Sequence, residues 1–349
     1  ALAPHLDNEV PLDAAGIALL GCVSASNWID SEDLVPAHAL ATVEDLIQKG
    51  LLVTADASTN AVSDQAMRTR HWRPLSAVAH RHSRWRGVDT EIETERLAEI
   101  TGGAVLDHLG TPPPPAIHCG RSNQSVALPR GRPSALDTLL AHRVTCRNFD
   151  TTRSLTLADV GTVLYRTFGA RAQVEVTGVP VLKKGVPSAG GLHPTEAYLL
   201  VQRVDGLAPG LYHYHPVTHA LETLREVSPS DAKGLARSFV ASQAWFTQAP
   251  LQLVMASRFE RNFWKYRNHA KAYRATILDV GHLSQVLYLA ATELGLAAFI
   301  TAAVNEGDIE DAFGLDPMEQ GVISVSGFGH RGSERNEIEF DPLNAIWPA

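Results

Sequence analysis

Residues 183–201, KKGVPSAGGLHPTEAYLLV, indicate how the chain is expected to fold. A loop of small residues stands directly before an apolar run of strand-forming residues. Pro187 fixes the backbone angle φ and has no N–H, whereas Gly190 and Gly191 have no Cβ to keep a flat ligand away from the main chain. Most strings of this kind form only a turn. Three further segments, described below, favour a binding loop.

Length, composition and charge limit the class of protein. The chain has 349 residues, 45% hydrophobic and 19% charged, which is typical of a globular protein of about two domains. The net charge of −8 argues against nucleic acid as the main partner. Cys22, Cys119 and Cys146 are odd in number and widely spaced, which favours a reducing cytoplasm over a disulfide framework or a metal site. We find no apolar run of about 18 residues and no signal peptide, so we expect a cytoplasmic protein without a membrane anchor.

The segment 12–65 has the pattern of three short helices followed by a strand-like LLVT at 51–54, which predicts a winged helix. Residues 1–65 contain ten acidic side chains and only one basic side chain, Lys49. Because a phosphate backbone would repel this surface, DNA binding is not expected. A wing that pairs its edge with an extended peptide, and a unit that only packs on its neighbour, both stay open.

A basic segment follows at 68–86, with six arginines, three histidines, two tryptophans and no acid. Because its flanks are acidic, we expect charge contacts between domains or a site for an acidic peptide. His80 and His82 lack a third candidate ligand nearby in the sequence, so no metal site is predicted. The proline-rich stretch 111–133 is typical of a linker. The expected organisation is therefore a peptide-recognition domain at 1–110, a linker at 111–133 and a second domain at 134–349.

The second domain carries candidate anion-binding and structural segments. Arg143, Thr145 and Arg147 alternate after a predicted helix, so two guanidinium groups and a hydroxyl can surround a phosphate. Residues 154–169 predict an amphipathic helix, and 210–224 predict a β-hairpin whose histidines occupy exposed polar positions. Residues 263–296 contain a long apolar helix, preceded by Lys265 and Tyr266.

Four segments occur in the order seen in nitroreductase-like flavoenzymes. More closely, they resemble the SagB-type dehydrogenases, the azoline oxidases of ribosomal peptide maturation. The resemblance covers about residues 135–335 and implies an α+β fold with a central antiparallel-type sheet, flanking helices and FMN at a homodimer interface. The matching segments are RVTCRNF at 143–149, PSAGGLHPTEAY at 187–198, WKYRNHAKAYR at 264–274 with LDVGHLSQVLYLAATELGL at 278–296, and FGLDP at 313–317 with GFGHR at 327–331.

The resemblance also implies site residues. It assigns the lysine–tyrosine pair Lys265 and Tyr266 to the dehydrogenation step. Two departures from the family pattern are Thr145 in place of serine, which keeps the hydroxyl, and His193 in place of a commoner tyrosine, which makes His193 a candidate substrate contact. The cofactor-binding residues that the resemblance implies are Arg143, Thr145 and Arg147 at the phosphate and ribityl chain, Pro187, Ser188, Ala189, Gly190 and Gly191 at the flavin ring, and, by a looser match, Ala302, Ala303 and Arg331.

The expected activity is FMN-dependent oxidation of a ribosomally made peptide, from azoline to azole, with Tyr266 as base. A tyrosine is protonated at neutral pH, so it needs a cationic partner, for which Lys265 is the candidate. Neighbours in a regular helix diverge, so this pair requires a loop or helix end. A winged-helix segment resembles leader-peptide-binding elements and favours a peptide substrate.

Several alternatives stay open at this point. They are an NAD(P)H-dependent nitro- or ene-reductase, a Cα–Cβ peptide dehydrogenase, and a non-catalytic peptide-binding scaffold. The glycines do not form a G-x-G-x-x-G pattern after a strand, so no separate nicotinamide domain is predicted. Reduced flavin could pass its electrons to O2, and NAD(P)H could still serve as a reductant.

Overall fold

The structure is a computed structural model that describes residues 1–24, 27–34, 39–56, 58–101, 110–111, 113–114, 116–117 and 126–348. Eight strands lie in the C-terminal part of the chain. They are β1 (Ala170–Val176), β2 (Val179–Lys184), β3 (Thr195–Val201), β4 (Gly210–His215), β5 (Ala220–Glu226), β6 (Leu251–Arg258), β7 (Ala297–Thr301) and β8 (Gln320–Gly329).

Six of these strands form one antiparallel sheet in the order β5-β4-β3-β6-β8-β7, while β1 and β2 form a separate two-stranded hairpin. Strand β3 lies inside the sheet, and all but one of its residues are buried. Its apolar run explains this position, because a strand covered on both faces needs apolar side chains on both. The predicted hairpin at 210–224 is formed by β4 and β5.

Helices cover both faces of the sheet, which confirms the predicted α+β fold. Leu199 and Leu200 are neighbours in β3 and point to opposite faces, so each belongs to a different core cluster. The described helices are α1 (Ala14–Cys22), α2 (Ser31–Leu34), α3 (Leu40–Gln48), α4 (Thr59–Thr69), α5 (Pro74–His82), α6 (Thr90–Thr101), α7 (Ala135–His142), α8 (Leu157–Thr167), α9 (Pro229–Phe239), α10 (Ala244–Thr247), α11 (Phe259–Tyr266), α12 (Ala272–Glu293) and α13 (Glu306–Phe313).

Helices α8 and α12 pack on the Leu199 face, and α9 and α13 pack on the Leu200 face. Helix α8 lies within the predicted segment 154–169 and buries Val160, Val163 and Leu164. Helix α12 is the long apolar helix predicted in 263–296, and its 22 residues span roughly 33 Å. It is therefore long enough to contact several separate segments of the chain.

The N-terminal part is helical, but the prediction of a strand at residues 51–54 was wrong. Residues 51 and 52 form a bend, residues 53 and 54 have no regular secondary structure, and no described residue pairs with them as a strand. The N–H groups of Leu51 and Leu52 both donate to the carbonyl of Leu46, at 2.9 and 3.1 Å. Because their amides close the C-terminal end of α3 and their side chains pack on Leu46, they are not available to a β-ladder. The described N-terminal residues thus lack the wing of a winged helix.

The basic segment at 68–86 packs on the sheet domain. Trp72 is buried against Phe259 and Phe263, and its indole N–H donates to the Met318 carbonyl at 2.8 Å. Ion pairs join this segment to the C-terminal part of the chain, in line with one of the two expectations for it, charge contacts: Arg70 with Glu319, Arg84 with Glu310, and Arg86 with Asp311.

His80, on α5, also contributes to this packing. It is buried and bonds to the Tyr273 hydroxyl at 3.1 Å and the Pro317 carbonyl at 2.8 Å. Much of the predicted linker at 111–133, with Cys119, lies outside the described residues. No helix in the described part of the chain is both long and apolar enough to cross a membrane.

Candidate functional site

The loop at 187–191 has the tight geometry that its sequence predicts. Gly190 and Gly191 have φ angles of 62° and 71°, in the left-handed region that favours glycine. The Ser188 hydroxyl donates to Asp279 Oδ2 at 2.6 Å, and the Ala189 N–H donates to Asp279 Oδ1 at 3.1 Å. The same hydroxyl accepts the N–H of His193 at 2.9 Å. The loop is thereby fixed to helix α12.

Asp279 was not among the predicted site residues. It is 4% exposed on α12, and burial raises the pKa of its carboxyl, while the hydrogen bonds from Ser188 and Ala189 act in the opposite direction. A sequence signal was available, because Asp279 is a lone carboxylate in the apolar run LDVGHLSQVLYL. A buried carboxylate requires hydrogen-bond partners.

Lys265 and Tyr266 reach the same loop from the last turn of α11, which is the helix-end position that their pairing requires. Lys265 Nζ lies 3.4 Å from the Gly190 carbonyl and 5.7 Å from the centre of the Tyr266 ring. A Cβ placed on Gly190 would lie 2.7 Å from both Lys265 Nζ and the Tyr266 hydroxyl. The structure therefore places an ammonium and a phenol against Gly190, in the space that a side chain at this position would take.

The segment with Arg143 and Thr145 contacts the other half of α12. The Thr145 hydroxyl lies 2.9 Å from the Tyr288 hydroxyl, and the Arg143 guanidinium lies 5.3 Å from the centre of the Tyr288 ring. Among the described residues, no hydrogen bond or ion pair engages the Arg143 guanidinium. Arg143 thus offers an uncompensated positive charge to an anionic ligand. Tyr288, a second residue that the sequence did not single out, positions this segment.

Helix α12 sets the spacing between these two parts of the site. Asp279 and Tyr288 are nine positions apart, which corresponds to roughly 13.5 Å along the helix axis. The loop is held at the first position and the Arg143 segment at the second. A single chain therefore presents the two features on one helix without bringing them into direct contact.

Arg331 lies beside the Arg143 segment but is paired with a carboxylate. Its guanidinium forms an ion pair with Glu339 and donates to the Val144 carbonyl at 3.5 Å. Glu339 is buried and also accepts the backbone N–H groups of Arg147 and Asn148, at 2.6 and 3.0 Å. Glu339, which the sequence did not indicate, therefore neutralises Arg331.

Arg147 points toward the same C-terminal segment, where its guanidinium donates to the Ile338 carbonyl at 3.2 Å. Ala302 and Ala303 follow β7, the strand in which Ala298 pairs with Thr145. The Ala303 carbonyl accepts a hydrogen bond from Gln243 at 2.8 Å. Ala302 and Ala303 therefore lie directly after the strand that pairs with the Arg143 segment, and no hydrogen bond among the described residues joins them to the loop at 187–191.

His193 lines a cavity of about 290 Å³ next to the loop. Its backbone has a φ of 47°, and burial, with nearby Lys184 and Arg261, lowers the pKa of its imidazole to about 4. His193 is therefore neutral at physiological pH. In the described part of the chain, no group of three or more His, Cys, Asp or Glu side chains is arranged to hold a metal ion.

A model of the nitroreductase family matches residues 140–330, which is more than half of the chain. The chain belongs to the nitroreductase family, and its antiparallel sheet with flanking helices is the nitroreductase-like fold. Membership of this family implies a flavin-dependent oxidoreductase.

Three relatives are similar over part of their length. The trifolitoxin-processing protein TfxB of Rhizobium leguminosarum bv. trifolii is 33% identical over 146 residues, which cover 41% of this chain and 39% of TfxB. The microcin B17-processing protein McbC of Escherichia coli is 28% identical, over 42% of this chain and 54% of McbC. The putative nitroreductase MJ1384 of Methanocaldococcus jannaschii is 28% identical, over 53% of this chain and 87% of MJ1384. The chain spans less than two thirds of either processing protein.

Two solved structures are also similar. A chain of the E. coli microcin synthetase McbBCD complex with truncated pro-MccB17 bound has a TM-score of 0.49 and 22% identity, over 66% of this chain and 82% of that chain. A putative nitroreductase of Anabaena variabilis has a TM-score of 0.45 and 28% identity, over 49% of this chain and 34% of that chain.

Nitroreductase-family proteins generally bind FMN, and part of the candidate site fits this group. The free guanidinium of Arg143 suits a phosphate, and Gly191, where a Cβ would meet only Val181 at 3.6 Å, suits the approach of a planar ring. At Gly190 the corresponding space is taken by Lys265 and Tyr266. Arg331 fits less well, because Glu339 already balances its charge. The fit therefore rests on Arg143, Thr145 and the loop.

Proposed function

We propose that the chain is an FMN-dependent dehydrogenase that oxidises a ribosomally made peptide from azoline to azole. The observation that carries this proposal is the meeting of Lys265 Nζ and the Tyr266 hydroxyl at Gly190, in the loop that the family resemblance assigns to the flavin ring. The names of TfxB and McbC as processing proteins for trifolitoxin and microcin B17 support a peptide substrate.

Within this proposal, Arg143, Thr145 and Arg147 hold the phosphate and ribityl chain of FMN, and residues 187–191 hold its ring. When bound, FMN supplies the oxidant, which takes up the two electrons that the substrate loses. Ala302 and Ala303 border the cofactor. For Arg331 to meet the phosphate, the Glu339 carboxylate would have to move away.

Tyr266, as its phenolate, takes the proton from the substrate Cα and becomes the phenol; the adjacent imine and carbonyl raise the acidity of that Cα–H bond. Lys265, whose ammonium lies beside the ring of Tyr266, stabilises negative charge on the phenolate and on the carbanion-like substrate. The Gly190 carbonyl holds this ammonium in place. The chain thus moves one proton at Tyr266, while the hydrogen at Cβ leaves with its electron pair.

A second copy of the chain is proposed to complete the flavin site. Leu136 and Leu140 of α7 are 54% and 47% exposed, and Ile277 and Leu278 of α12 are 45% and 60% exposed. Exposed apolar side chains on two helices next to the site suit a self-complementary interface. We also propose residues 1–110 as a peptide-recognition domain, joined by a linker at 111–133 to the catalytic domain at 134–349.

The experiment compares a peptide that carries a thiazoline with the same peptide in linear form. We expect the purified protein with FMN to remove two hydrogen atoms from the thiazoline peptide, as measured by mass spectrometry, and to leave the linear peptide unchanged. The family name favours one rival, an NAD(P)H-dependent nitro- or ene-reductase. Rapid anaerobic bleaching of the flavin by NADPH, with no oxidation of the thiazoline, would support that rival.

A further inference from the structure

The cavity that His193 lines lies beside the loop, and none of the residues assigned to the flavin lines it. Its volume of about 290 Å³ is near the low end of the ~300–1,000 Å³ range of small-molecule sites, so it has room for about one amino-acid residue. The hairpin β1–β2 forms one wall. Its lining includes the charged side chains Lys184, Glu196, Arg258 and Arg261, and the side chains of Leu182 and Tyr214.

Lys184 is an unpartnered charged residue in this cavity. It is only 5% exposed and lines the cavity, yet it has no hydrogen bond or ion pair with any described residue through its side chain. Burial lowers the pKa of its ammonium to about 8, and the charge of Glu196 opposes this effect. Its neighbour Lys183 is exposed on the other face of β2 and does not line the cavity. A buried ammonium without a partner indicates that an anionic ligand completes the site.

The remaining charges in the cavity leave it positive. Glu196 is the one acidic lining residue, and it is engaged by Arg258 at 2.6 Å and by His213 at 2.8 Å. Arg261 donates to the carbonyls of Leu192 and Pro180, which ties α11 to the loop and to the hairpin. With His193 neutral, three cations face one carboxylate that is already paired. The lining therefore favours one further negative charge.

Apolar side chains limit the kind of anion. Leu182 and Tyr214 line the cavity together with Phe168, Pro180, Pro216 and Val217. A compact, strongly hydrated anion would leave these surfaces without contact, whereas a carboxylate on an apolar body would cover them and reach Lys184. The cavity also adjoins the loop, because its lining residue His193 donates its backbone N–H to the Ser188 hydroxyl.

We propose that this cavity is a substrate subsite that binds the free α-carboxylate of an apolar amino-acid residue of the peptide, with Lys184 as its main contact. The link to a peptide rests on the proposed function, but the binding of an apolar carboxylate does not.

The test uses N-acetyl-leucine and N-acetyl-leucinamide as probes, titrated into the full chain and followed by ligand-observed NMR. We expect saturable binding of the acid and binding of the amide weaker by about tenfold or more, because the amide cannot pair with the ammonium. Lys184→Met should weaken binding of the acid by about tenfold, whereas Lys183→Met, which removes the same charge from the exposed face of β2, should change it less than about twofold.

The comparison of acid with amide in the unsubstituted protein keeps the proposal testable even if Lys184→Met fails to fold. Equal binding of acid and amide, an unchanged affinity in a folded Lys184→Met variant, or no saturable binding of the acid would each overturn the proposal. Inorganic phosphate that binds through Lys184 while the acid does not would overturn the carboxylate assignment. The titration requires neither flavin nor turnover, so its result is separate from any failure of peptide oxidation, which is measured independently.

Discussion

The loop anchor Asp279 gives a prediction whose size follows from its contacts. In Asp279→Asn, one oxygen remains to accept either the Ser188 hydroxyl or the Ala189 N–H, and an NH2 group faces the other donor. A hydrogen bond to a charged acceptor contributes about 1.5–3 kcal/mol, so the loop loses stabilisation of that order. If this loss appears in the binding of a ring against the loop, the Kd for FMN rises about ten- to hundredfold.

Global stability should change much less than flavin affinity. Burial raises the pKa of Asp279, which means that its environment disfavours the charged form even with both hydrogen bonds in place. A neutral isostere removes this penalty and offsets part of the lost hydrogen bonding. We therefore expect the free energy of unfolding to change by less than about 1 kcal/mol.

The assay is titration of FMN into flavin-free protein, with denaturant unfolding of the same samples. Asp205→Asn is the matched control, because Asp205 is exposed and its side chain has no hydrogen bond or ion pair with a described residue. An FMN affinity in Asp279→Asn equal to that of Asp205→Asn would refute the anchoring role of Asp279.

Four further substitutions test the Lys265–Tyr266 pair, the loop and a partly buried acid. Tyr266→Phe should bind FMN within about twofold of the unsubstituted chain but oxidise a thiazoline peptide about 10²–10⁴ times more slowly in single-turnover assays; undiminished turnover would remove Tyr266 as base. Gly190→Ala and Gly191→Ala should both lose about 1 kcal/mol in unfolding assays, because both φ angles are positive, but only Gly190→Ala should slow oxidation, since its methyl group would displace Lys265 and Tyr266. Burial raises the pKa of Glu306 to about 7 from 4.5, so the stability that its proton contributes is present below pH 4.5 and is lost as pH rises through about 7. The free energy of unfolding of Glu306→Gln, minus that of the unsubstituted chain, should therefore be about 1–2 kcal/mol larger at pH 8 than at pH 5. The same difference at both pH values would contradict this.

Local patterns in the sequence were sufficient for most of the fold. The apolar run of β3, the amphipathic α8 and the alternating hairpin β4–β5 all form where their patterns indicate. The error at residues 51–54 has a physical cause. Four apolar or β-branched residues suit a strand, but the amides of Leu51 and Leu52 are used to end α3. No local pattern reveals that use.

The site could be predicted only in part, because its decisive contacts are distant in sequence. The Ser188–Asp279 bond spans 91 positions, Thr145–Tyr288 spans 143, and Arg147–Glu339 spans 192. The loop and the Lys265–Tyr266 pair were found from composition and resemblance. Their anchors were not, because each is an ordinary polar residue until the fold gives it a partner.

The most direct test of the central claim is the affinity of the chain for FMN compared with riboflavin, before and after Arg143→Met. The account predicts saturable FMN binding that Arg143→Met weakens by about tenfold or more, while riboflavin, which lacks the phosphate, binds both proteins equally. Absence of saturable FMN binding, or the same loss for both flavins, would contradict it.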